Sequence, residues 1–111
     1  MRKAEITFQV ELDKDNLPEK ISWKATDSTG ELQPSKSIML AVWDHQRQNT
    51  LRIDLWTKDM PVDEMKRFFY ENLLTMADSF ERATGEKNIM EDLRDYCAHF
   101  AEKMKLHQPG V

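Results

Sequence analysis

The side chains with the chemistry for catalysis are few in this chain, and their spacing keeps them apart. His45, His99, His107 and the single cysteine, Cys97, are its only residues of those types. A zinc site recruits His and Cys at short fixed intervals, such as four residues apart on one helix face. No such interval occurs here. Asp44-His45 sets a carboxylate beside an imidazole in a polar stretch, where a solvated turn is the simpler reading and a weak metal contact the alternative. Cys97 falls on the apolar stripe of a helical segment, the setting of a small buried hydrophobe. A reactive thiolate needs a cation or a helix N-terminus beside it. Asp54 and Asp59 flank Trp56 and Lys58 where a strand gives way to a helix, and acids there commonly cap. Gly30, Gly85 and Gly110 are isolated, so no glycine-rich phosphate loop forms. No catalytic, cofactor-binding or metal-ligating residue is assigned, and binding is left as the mode of action.

Composition narrows the class of partner. The chain has 111 residues, the size of one domain with one core of two packed layers. Its 40% hydrophobic and 32% charged residues fit a folded globule and argue against a disordered chain. Sixteen Lys and Arg stand against 20 Asp and Glu, a net charge of −4. The basic residues are scattered among acids rather than gathered in a stripe, which argues against nucleic acid. A lone cysteine rules out an intramolecular disulfide. The charged start, Met1-Arg2-Lys3-Ala4-Glu5, opens no apolar run of secretory-signal or membrane-span length. A cytoplasmic protein with no direct membrane insertion is expected.

Two hydrophobic periods order the chain. Ile6, Phe8, Val10 and Leu12 alternate with polar residues, as do Ile21, Trp23 and Ala25, marking two half-buried strands joined by the turn Asp13–Asn16. Asp27 to Lys36 reads as a surface loop. A third strand runs from Ser37 to Trp43 and a fourth from Thr50 to Thr57, with Asp44–Asn49 as hairpin loop. The period then lengthens. Asp59, Pro61, Asp63 and Glu64 signal a helix start. Met65, Phe69, Leu73, Met76, Phe80 and Ala83 hold one helical face up to Gly85. Asn88 with Glu91 resembles a capping pair for a second helix, striped by Ile89, Leu93, Tyr96, Cys97, Phe100 and Met104, and Pro109-Gly110 closes the chain. Strands segregated from helices predict an α+β fold: a four-stranded antiparallel sheet followed by two C-terminal α-helices, β-β-β-β-α-α, packed on one sheet face in a single domain, residues 1–111.

The sheet carries more apolar surface than that architecture needs. Ile38, Leu40 and Val42 pair naturally with Leu51, Ile53 and Leu55 as a core face. The opposite face then holds Met39, Ala41, Trp43 and Trp56 close together, with Arg52, Asp54 and Arg47 as a polar rim. Such patches mark interaction sites, and Trp and Met are enriched at interfaces. Three covers remain open: the Asp27–Lys36 loop or a helix crossing over, a second copy, or a protein partner.

Long runs of the chain have a family likeness. Asn49-Thr50-Leu51-Arg52-Ile53-Asp54-Leu55-Trp56-Thr57-Lys58-Asp59-Met60 and Val62-Asp63-Glu64-Met65-Lys66-Arg67-Phe68-Phe69 closely resemble the gliding motility-associated protein GldC family. So do Leu17-Pro18-Glu19-Lys20-Ile21 and the run from Thr75 to Asn88. The likeness extends from about Glu5 to Lys103. It implies an accessory or adaptor protein of Bacteroidetes surface gliding, a process tied to an outer-membrane secretion machine. It implies no enzymatic activity, no cofactor and no catalytic residues. The expected partners are proteins of the gliding or secretion machinery, with a homo-oligomer as the working form. The element order is also similar to that of the export chaperone SecB, which makes a holder of unfolded export clients the rival reading.

Overall fold

Alternating apolar residues form β1 (Ile6–Leu12) and β2 (Pro18–Ala25), which pair antiparallel. The turn between them is built by Asp13, whose Oδ1 accepts the amides of Asp15 at 2.8 Å and Leu17 at 3.0 Å. Asn16 takes the left-handed conformation, φ 63°, that its short polar side chain tolerates. The register places Val10 opposite Ile21 and Phe8 opposite Trp23. Ile21 is buried, and Ile6, Phe8 and Leu12 are exposed. The computed structural model describes residues 1–106. His107 and the closing Pro109-Gly110 lie outside the described residues.

The expected Asp27–Lys36 loop ends in structure. Gln33–Ser35 forms a short strand, β3, paired antiparallel with β2. After Lys36 the chain continues as β4 (Ser37–Asp44), paired antiparallel with β5 (Asn49–Trp56). The single four-stranded sheet is therefore corrected to two sheets, ordered β1-β2-β3 and β4-β5. The cause is local. The Ser35 hydroxyl donates to the Ser37 carbonyl at 2.9 Å and accepts the Ser37 amide at 3.3 Å. The main-chain groups with which Ser37 would extend the β2 ladder are thereby taken. The Lys36 carbonyl accepts the Thr57 amide at 2.8 Å, turning the chain to its second partner.

A polar clip sets this corner. Lys58 donates its amide to the Pro18 carbonyl at 3.2 Å, and its Nζ lies 2.9 Å from Asp13 Oδ2 and 3.9 Å from Glu19. The Lys58 ammonium, with the Leu17 and Asp15 amides, lowers the Asp13 pKa, and Asp13 raises that of Lys58. Thr57, a buried polar residue, donates to Asp59 Oδ1 at 2.6 Å and lowers its pKa. Asp59 is thus spent on the corner and does not cap the helix.

The chain divides into two compact units between Met60 and Pro61. The second contains α1 (Val62–Thr84) and α2 (Asn88–Lys103). Pro61 occupies the N-cap of α1 in an extended conformation, and its fixed φ suits a helix entry. Gly85 ends the helix with φ 78°, its amide donating to the Glu81 carbonyl at 2.8 Å. Asn88 is the first residue of α2 rather than its cap, because Lys87 holds that place without a side-chain bond. Ala77 and Cys97 are fully buried. Tyr70 stacks on Phe100, and Arg94 reaches from α2 to Asp78 at 3.0 Å and Glu81 at 3.1 Å. The face closed against α2 is thus Tyr70–Ala77–Glu81, and the stripe Val62, Phe69, Met76 and Phe80 is exposed. No described helix is long and apolar enough to cross a membrane.

Candidate interaction surface

The β4–β5 register settles which side chains share a face. Ile38, Leu40 and Val42 stand opposite Leu55, Ile53 and Leu51, as their alternation predicts. The other face carries Ser37, Met39, Ala41 and Trp43 opposite Trp56, Asp54, Arg52 and Thr50. Met39, Ala41, Trp43 and Trp56 therefore do share a face, but not as one cluster. Trp43 and Trp56 lie at opposite ends of the ribbon, about 20 Å apart at ~3.3 Å per residue. Between them Arg52 and Asp54 form a 3.0 Å ion pair. These two are the polar centre of the face rather than its rim. Arg47 sits in the 45–48 turn, where Asp44 Oδ2 accepts its amide at 3.1 Å and lies 3.9 Å from its Nε. The turn that holds Arg47 also contains His45. Among the described residues no group of three or more His, Cys, Asp or Glu is placed to hold a metal ion.

Large apolar side chains on both faces of the ribbon are exposed. Trp43 is 65% exposed and Trp56 55%, and on the face expected to be core Ile53 is 50% exposed. Val42 and Leu51 are similarly half-exposed. A two-stranded ribbon is at best marginally stable in water by itself. Apolar side chains on both faces gain little from such pairing until something covers them.

A feature missed in the sequence lies beside β5. Leu17, Pro18 and Lys58 face Asp54, Leu55 and Trp56 across a mainly apolar notch of about 300 Å³. Its walls come from segments some 40 residues apart and carry no joint signal in the sequence. Leu17-Pro18 after a tight turn was the one visible hint.

Burial raises the Cys97 thiol pKa, which works against a reactive thiolate. Asp54 stays with Arg52, and Asp59 is tied to Thr57. His99 lies exposed on α2 beside Tyr96.

The fold and this surface define a class: a small α+β protein with an open apolar ribbon and two C-terminal helices. A family profile for gliding motility-associated protein GldC-like matches residues 18–106. The chain belongs to this GldC-like family, and with it to gliding motility. The match starts at Pro18, so β1 lies before it, and it runs three residues past Lys103. No curated protein and no solved structure matches the chain significantly.

Proposed function

We propose that this protein is a cytoplasmic accessory or adaptor component of gliding motility that acts by protein–protein contact, as a homo-oligomer and without catalysis. The observation that carries the reading is the β4–β5 ribbon, whose exposed Trp43 and Trp56 flank Met39, Ala41 and the Arg52–Asp54 pair. Half-exposed tryptophans with an arginine between them are the residue types in which binding energy concentrates. Family membership supports gliding or secretion proteins as partners.

The test is affinity capture of the tagged protein from a gliding bacterium, with Trp56→Glu as control. One or two motility or secretion proteins at fixed stoichiometry, lost with Trp56→Glu, is the expected result. A broad set of unfolded export precursors would instead establish the chaperone reading, which the many exposed apolar side chains also accommodate.

A further inference from the structure

We infer that the outer edge of β5 pairs antiparallel with β5 of a second copy, centred on Ile53, so that Arg52 of each copy faces Asp54 of the other. This specifies the oligomer of the reading above and rests on that part of it.

Three observations converge on the edge. Among the described residues β5 has β4 as its only strand partner, and Asn49 to Asp54 are all exposed. The Thr57 amide bonds the Lys36 carbonyl, and bonding alternates along an antiparallel strand. The main-chain groups of Leu55, Ile53 and Leu51 therefore point at β4, and those of Trp56, Asp54, Arg52 and Thr50 point outward. An unpaired row of this kind is a template for another strand.

The second observation is the charge order. An antiparallel strand that pairs with itself about a two-fold axis matches residue i with residue j and j with i. With Ile53 at the axis, Arg52 meets the partner's Asp54 and Asp54 meets the partner's Arg52. Leu51 meets the partner's Leu55, and Thr50 the partner's Trp56. Residues 52 and 54 both direct their main-chain groups outward, so the charged pairs coincide with the hydrogen-bonded pairs. Within one chain Arg52 and Asp54 already neutralise each other at 3.0 Å, and pairing doubles this into a four-charge cluster of zero net charge.

The third observation is the room beside the edge. The notch between Leu17–Pro18 and Asp54–Trp56 lies along the C-terminal end of β5, and in this register it receives the partner's Thr50. The product is a four-stranded sheet, β4-β5-β5-β4. One of its faces is lined by Ile38, Leu40, Val42, Leu51, Ile53 and Leu55 of both copies. Four strands with a continuous apolar face meet the condition for stability that the two-stranded ribbon does not.

The experiment is the solution mass of the purified protein by light scattering and sedimentation, from micromolar concentration upward. Wild type is expected at twice the monomer mass of 13.1 kDa. Arg52→Asp sets carboxylates against the partner's Asp54, and Asp54→Arg sets guanidinium groups against the partner's Arg52. Each single variant should weaken the dimer by roughly tenfold or more, because like charges directly opposite repel. Mixing the two single variants should restore the dimer as a heterodimer, in which every facing pair is again of opposite sign. That rescue cannot come from the intrachain Arg52–Asp54 pair, which both variants lack, and circular dichroism of each variant checks that it folds. A monomeric wild type, single variants that remain dimeric, or a folded mixture that stays monomeric would each overturn the register. No motility protein is present, so these outcomes leave the capture experiment standing on its own.

Discussion

The helix pair and the β4–β5 ribbon solve the same problem to different degrees. Between α1 and α2 the contact is closed by small residues: Ala77 and Cys97 are fully buried. Tyr70 stacks on Phe100, and Arg94 ties the helices through Asp78 and Glu81. Small side chains let the backbones approach, and larger ones seal the flanks. The ribbon has large side chains on both faces and buries none of them fully. Its order comes from main-chain pairing and a four-residue turn, and its apolar surface remains available. A contact already closed inside the chain contributes to stability, whereas one left open is available for binding.

Substitutions that probe this contrast span a wide range. The largest loss is expected at Ile21, the buried anchor of the β1–β2–β3 sheet: Ile21→Ala should cost about 2–5 kcal/mol in urea unfolding. Cys97→Ser should come next, at about 1–3 kcal/mol, because the sealed helix contact leaves a hydroxyl poorly satisfied. Ile53→Ala in the ribbon should cost less than about 1.5 kcal/mol at concentrations where the protein is monomeric, since half of the side chain already meets water. If Ile53→Ala matched Ile21→Ala under those conditions, the contrast between closed and open regions would collapse. Arg94→Met should have a smaller effect than Cys97→Ser, because its partners are solvent-accessible.

The smallest effect is a pH dependence at the sheet corner. Asp13 is held below its ordinary value of 3.8 by Lys58 and by the Leu17 and Asp15 amides. A depressed carboxyl pKa contributes stability that is fully present above the unfolded value and is lost as pH falls through the folded one. The loss should therefore begin near pH 4 and deepen below it. Lys58 is raised above 10.5 by the same contact, so its share is present below that value and disappears as pH rises through the folded pKa. Asp13→Asn should flatten both ends of the stability–pH curve, as followed by thermal melts from pH 2 to pH 11.

Much of this molecule was legible in residue order, because local chemistry decides it. The alternation in Ile6–Leu12 and Thr50–Trp56 set strands with the observed facing, since side chains alternate across a strand by geometry alone. Asp13–Asn16 and Gly85 marked a turn and a helix end through conformations that only certain residues favour. The long runs around Asn49–Phe69 carried the family. The division into two sheets was not legible, because it depends on a Ser35 hydroxyl claiming the Ser37 main chain and on Thr57 meeting Lys36 across 21 residues. The use of Asp59 at the corner and the notch at Leu17–Pro18 arose the same way; the separation of Trp43 from Trp56 instead follows from the Asp44–Asn49 hairpin loop, which sets Trp43 at the turn and Trp56 at the far end. Periodicity reports which way a side chain faces along its own element. Partner choice between segments that no tight turn joins depends on contacts between distant residues, and only the tertiary structure decided it.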